Sequence, residues 1–131
     1  MTAPAAQAYF VHDAFAKLLG VELLAAAEGS ARLKFDPRPE HLNGLGGVHG
    51  GVIFALADIA FAVACNTRGH AAVGINAHIN YINGASFGEI HAEAREVSYK
   101  ARLAHYLVDI SNDAGTLLAQ QALLDTAYAQ W

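Results

Sequence analysis

Apolar residues near the start of the chain recur at helical spacing. Phe10, Ala14 and Leu18 form one stripe, Val11, Phe15 and Leu19 a second, and Gly20 follows as a stop. A short first helix is expected there. Residues 21–27 and 31–36 then read as two strands around the turn Glu28-Gly29-Ser30, and Pro37 and Pro39 end the second. The stretch 40–47, EHLNGLGG, has the glycines and asparagine of a loop that lets backbone approach a ligand. Residues 49–66, HGGVIFALADIAFAVACN, are apolar on nearly every helical face and predict a long central helix ending near Arg68-Gly69. Four strand candidates follow at 71–82, 88–98, 102–112 and 116–127, broken at Asn83-Gly84, at Lys100-Ala101 and at 112–115. In the first of them Val73, Ile75, Ala77, Ile79 and Tyr81 alternate with Gly74, Asn76, His78 and Asn80, so one face should be buried and the other wet. The spacing suggests an antiparallel meander. The whole chain, residues 1–131, then makes one α+β domain: about six strands wrapped around a helix.

One charge interrupts the central helix. An unpaired carboxylate in an interior costs several kcal/mol, so Asp58 is either structurally paired or poised for chemistry. At the other end, His49-Gly50-Gly51 opens the helix and offers unpaired N–H groups to an anion or a developing oxyanion. Gly50 and Asp58 are eight residues apart, about 12 Å along a helix. Two groups acting on one atom must each lie roughly 3 Å from it. They cannot share a site within one chain. If both act, the helix lies beside an antiparallel copy, and a symmetric dimer carries two equivalent pockets.

Composition points the same way. Hydrophobic residues make up 54% and charged residues 15%, which favours a chain that hides further surface in a homo-oligomer. A net charge of -4 argues against a nucleic-acid partner. The single cysteine, Cys65, excludes an internal disulfide and reads as a small core residue in a reducing compartment. The start of the chain has no leader pattern, and the apolar run at 51–65 is too short to cross a bilayer, so a cytoplasmic protein with no membrane partner is expected. No metal is expected: His41 and His49 have no partner at zinc-ligand spacing, and the other five histidines are scattered. No Gly-x-Ser-x-Gly elbow is present.

His41, Asn43, Gly46, His49-Gly50-Gly51, Phe54, Leu56, Ala57, Asp58, Ala60, Ala64 and Asn66 stand at spacings that resemble the hot-dog-fold thioesterases, specifically the PaaI-like acyl-CoA thioesterases of phenylacetic acid degradation. The order of elements agrees over nearly the whole length, to the closing strand ending in Tyr128. The resemblance implies a sheet curled round a long helix, dimers formed by extending that sheet, and commonly a dimer of dimers, a homotetramer. It implies hydrolysis of acyl-CoA thioesters, of aryl-acetyl groups such as phenylacetyl or hydroxyphenylacetyl or of short and medium acyl groups. It places the catalytic carboxylate on Asp58, the carbonyl-polarising N–H on Gly50 of another subunit, and carbonyl or water orientation on His49 and Asn43. Two departures stand out. Ile82-Asn83-Gly84-Ala85 replaces a basic residue and proline that relatives often carry, and Gly74, Ile75, Asn76 and His78 occupy the region where many relatives offer a hydroxyl.

A thioester carbonyl is already electrophilic, so the site must stabilise an oxyanion and supply a nucleophile. Gly50 N–H would do the first. Asp58 would do the second, as general base or as attacking group. Gly51 and Asn76 are further candidates for substrate contact, and Arg102, with Lys100 or Arg68, for the phosphates of coenzyme A. Coenzyme A is here part of the substrate, and no separate cofactor is expected. Two other readings stay open: a non-catalytic hot-dog module that binds acyl-CoA, and a hot-dog enoyl-CoA hydratase. Release of free thiol separates them.

Overall fold

A computed structural model of the chain describes residues 3–68, 71–100 and 102–127. Gly69, Ala101 and Tyr128, to which the sequence assigns a helix stop, a break and a strand end, and His70, one of the scattered histidines, lie outside them. The elements are α1 (Pro4–Phe10), α2 (Ala14–Leu19), β1 (Glu22–Ala27), β2 (Ser30–Phe35), a 3-10 turn (Pro39–His41), α3 (Gly50–Cys65), β3 (Ala72–Tyr81), β4 (Ile90–Tyr99), β5 (Ala104–Asn112) and β6 (Leu117–Ala127). The six strands form one sheet in the order β1-β2-β4-β5-β6-β3, and every pairing is antiparallel. This is the hot-dog arrangement.

Local chemistry divides the expected first helix into two. Pro4 opens α1 earlier than the apolar stripes suggest, because its missing N–H is harmless at a helix start. Asp13 then interrupts the run, its Oδ1 accepting from Ala16 N–H at 3.0 Å to cap α2. Gly20 ends α2 as expected.

The expected meander holds only for β4-β5-β6. Strand β3 does not pair with β4; it lies at the sheet edge against β6. The segment after β3 is not a tight turn. Ile82 N–H donates to Leu118 O at 2.7 Å, and Ala85 O accepts from Val48 N–H at 2.7 Å, which leads the chain past the start of α3.

The alternation along β3 also reads differently in three dimensions. A bulge at Ile75 shifts the register: Gly74 pairs with Asp125 and Ala77 with Leu123, while Asn76 pairs with Leu124. One extra residue exchanges the faces of everything beyond it. Val73 and Ile75 therefore part company with Ala77, Ile79 and Tyr81, and the strand stays largely exposed, Ile75 at 50%.

The sheet does not enclose α3 completely. Ile53, Leu56, Ala57, Ala60, Val63 and Ala64 are buried, and the helix packs on β2, β4 and β5 over a core that includes Leu33, Phe35, Ile90, Ala92, Val108 and Ile110. Gly51, Phe54 and Asp58 form an exposed stripe on the remaining face. The expectation of a helix buried all round, with Asp58 in the protomer interior, is thus corrected. The apolar face that the hydrophobic pattern shows is real, but this chain covers only part of it.

Candidate active site

The loop before α3 is held by its own polar groups. Asn43 Oδ1 accepts from Leu45 N–H at 2.8 Å and from Gly47 N–H at 3.2 Å, and Asn43 N–H donates to Gly47 O at 2.7 Å. Gly46 supplies the positive φ of 86° that closes this turn. His41 is buried against Phe35, ring centroids 4.8 Å apart; its Nδ1 accepts from Arg38 N–H and its carbonyl from His49 N–H. Burial, then the Arg38 charge, holds its pKa below the usual histidine value. His41 and the Oδ1 of Asn43 therefore serve the loop.

Among the described residues, the loop delivers the start of α3 with one vacant backbone donor. His49 caps the helix, its Nδ1 accepting from Gly51 N–H at 2.8 Å, so a neutral ring carries its proton on Nε2. Val52 and Ile53 N–H donate to His49 O. Among the described residues, Gly50 N–H has no acceptor. It borders a cleft of about 240 Å³ formed with Val48, Ile53, Tyr81, Ile82, Ala85 and Leu118. Tyr81, which the sequence suggests only as a strand residue, donates its hydroxyl to Gly50 O at 3.1 Å and braces this tip.

Asp58 lies two turns along the exposed stripe and makes no hydrogen bond or ion pair among the described residues. Solvent reaches it, yet the surrounding protein first and the Asp13 carboxylate second push its pKa above the usual carboxylate value. It borders a cleft with Gly74, Ile75, Asn76, Ala77 and Leu123. Asn76 contributes to that rim, but its pairing with Leu124 sets its side chain on the sheet face opposite Gln121 and Leu123, which are buried. A second cleft beside Asp58 brings in Tyr9 from α1. Nothing in the local pattern around Tyr9 signals this; the docking of α1 on α3 creates it.

The basic candidates separate. Arg68 is committed to the protein: it bridges Glu96 at 2.8 Å, pairs with Glu28, and lies 4.0 Å over the Tyr99 ring. Lys100 and Arg102 are exposed in the β4–β5 turn. That turn adjoins the rung Ala104–Asp125–Gly74, at the Asp58 end of the sheet. Cys65 is buried, and burial together with Asp125 pushes its thiol pKa up, as suits a core residue. Among the described residues no three His, Cys, Asp or Glu side chains gather as a metal site, and no helix is long and apolar enough to cross a membrane.

A sheet curled on one long helix, with a glycine-led tip and a mid-helix acid, defines the hot-dog thioesterase class. Residues 45–119, over half of the chain, match the family model of the Thioesterase superfamily. The acyl-coenzyme A thioesterase PaaI of Escherichia coli is 35% identical over 97 residues, 74% of this chain and 69% of that protein. Human acyl-coenzyme A thioesterase 13 is 34% identical over 111 residues, 81% of this chain and 79% of that one. The solved structure of E. coli PaaI, from the phenylacetic acid degradation operon, superposes with a TM-score of 0.93, covering 95% of this chain and 91% of its own. The chain belongs to the thioesterase superfamily and is a PaaI-like hot-dog thioesterase.

Proposed function

We propose that this enzyme hydrolyses acyl-coenzyme A thioesters in pockets shared by two copies of the chain. The observation that carries the reading is the split of the candidate groups: among the described residues Gly50 N–H and the Asp58 carboxylate are unpaired, and they lie on one face of α3 about 12 Å apart. Phe54 lies midway between them on the same stripe. An antiparallel second copy crossing at Phe54 brings each Gly50 to the other chain's Asp58. The unpaired edge of β3 supports the same arrangement, since an exposed ten-residue strand is a template for pairing. The names of the relatives support acyl-coenzyme A as the substrate.

In this reading the thioester carbonyl oxygen accepts from Gly50 N–H, an interaction worth about 3 kcal/mol in the transition state. Nε2–H of His49, one residue from Gly50, orients the carbonyl or the water, and the Asn43 amide nitrogen is the second group for that task. Asp58, a stronger base for its raised pKa, takes a proton from water as the water oxygen bonds to the carbonyl carbon. The tetrahedral intermediate collapses, the C–S bond breaks, and the thiolate recovers the proton from Asp58. Lys100 and Arg102, at the Asp58 end of the sheet, meet the nucleotide phosphates. Aryl-acetyl esters head the expected substrates, with short and medium acyl groups next.

Thiol release from a panel of coenzyme A esters tests the reading. Asp58→Asn should lose about a hundredfold in kcat/KM or more, roughly 3 kcal/mol, with the fold retained. Gly50→Pro should lose a similar factor. Mixing the two variants as refolded dimers should restore roughly a quarter of wild-type activity, because half of the dimers are mixed and each holds one intact pocket. No recovery would overturn the shared site. Single turnover in ¹⁸O-water separates general base from nucleophile: label in the Asp58 carboxylate marks attack by Asp58 itself.

A further inference from the structure

The second cleft beside Asp58 has a role that carbonyl polarisation and water activation leave unfilled. It holds about 220 Å³ and is lined by Tyr9, Phe61, Ala62, Ala72 and Gly74, with Asp58 as the one charged residue among its walls. Two aromatic rings, small aliphatic groups and bare backbone make an apolar surface. The phosphates of a nucleotide do not suit it, since among the described residues that line it the one charge is negative. A short hydrocarbon group does.

Its walls are fixed. Phe61 packs edge-on against Tyr106, ring centroids 5.5 Å apart, and a Cβ at Gly74 would come within 2.9 Å of its ring, so glycine alone fits there. Tyr9 is half-buried, and its hydroxyl is in reach of Asp13, the residue that caps α2. Tyr9 is the one residue of the first helix among the residues that line the cleft. Burial first, then Asp13, pushes the phenol pKa up to about 12, so the ring stays uncharged. The volume is below the roughly 300–1,000 Å³ of clefts that enclose drug-sized ligands.

We propose that this cleft receives the acyl group of the thioester, and that the Tyr9 ring is the wall that limits the acyl group to short chains or a single aromatic ring. The inference rests on the thioesterase reading and adds to it a specificity residue from the first helix. Tyr9 touches the acyl group and not the reacting atoms, so its signature is a change in the ratio between substrates.

The experiment compares kcat/KM for butyryl-, phenylacetyl- and dodecanoyl-coenzyme A with the wild type, Tyr9→Ala and Tyr9→Phe. Wild type should prefer the butyryl and phenylacetyl esters. Tyr9→Ala should raise the dodecanoyl-to-phenylacetyl ratio about tenfold or more, the scale of discrimination that one or two methylenes give. Tyr9→Phe, which keeps the ring, should leave the ratio as in wild type. Partial unfolding scales all three esters alike and does not move the ratio. A wild type that cleaves the esters with a ratio unmoved by Tyr9→Ala, or moved equally by Tyr9→Phe, overturns the assignment of the acyl wall. A wild type that releases thiol from none of the esters overturns the thioesterase reading itself.

Discussion

The two sides of α3 differ in how far one chain completes them. Toward β2, β4 and β5 the helix buries Leu56, Ala60 and Val63 in a continuous core, and the groups around it are paired: Arg68 with Glu96, Tyr106 hydroxyl with Glu96, Gly29 N–H with Thr67. Toward β3 it leaves Phe54 and Asp58 open and, among the described residues, an N–H without an acceptor and a strand edge without a partner. The first side is what stability requires. The second retains the unsatisfied groups that stability alone would remove, which is where chemistry or association is found.

Truncating the completed side should do the greatest damage to the fold. Leu56→Ala removes a buried side chain 1% exposed and should lower unfolding free energy by about 2–5 kcal/mol in urea titration, while activity per folded molecule holds. A matching loss of specific activity would blur the distinction between the two sides. Gly50→Pro attacks the open side with almost no structural change. Gly50 is the first helical residue, where proline is tolerated, and the preceding His49 already has φ -60 and ψ 135, a conformation that proline accepts. Circular dichroism should show the helix intact, and kcat should fall by about two to three orders of magnitude with the lost donor.

Gly74→Ala sits on the boundary. Its Cβ displaces Phe61, and such overpacking costs about 1–3 kcal/mol, measurable by denaturant titration. The smallest effect has the opposite sign. Asp58 titrates above the usual carboxylate value in the folded chain, so between its unfolded and folded pKa values the folded state binds more protons. Its contribution to stability therefore declines as pH rises through that window and is unfavourable above it. Asp58→Asn should show a Tm at neutral pH no lower than wild type, and the difference should vanish on acidification. A clearly lower Tm would return Asp58 to a structural role.

Much of this was legible in the sequence because it is locally encoded. The apolar run from Gly50 to Cys65, the glycine stop at Gly20 and the turn at Gly29 are set by the helical period and by residues that punctuate the backbone. The helical rise alone also separates Gly50 from Asp58, so that the two cannot meet at one reacting atom within a single chain follows from counting residues. The division of α1 from α2 also has its signal in the sequence, a capping aspartate at position 13, but the apolar stripes run through it and hide the break.

What local pattern cannot decide is which strands meet and what then lies against what. Hairpin-like spacing suggests β3 beside β4, but the segment from Ile82 is tied to Leu118 and Val48 and leaves β3 at the edge. A single bulge at Ile75 then puts Val73 on the outer face with Asn76 and Gly74 on the inner face with Ala77, because strand side chains alternate with a period of two and one inserted residue reverses them. Arg68 reads as a free cation until folding brings Glu28 from the β1–β2 turn and Glu96 and Tyr99 from β4 to it. Tyr9 faces Asp58 only because α1 docks on α3, a contact between residues far apart in the chain. The amino-acid order specified the elements and the reactive groups; their company was decided by long-range packing, which depends on the whole fold and on no single stretch of it.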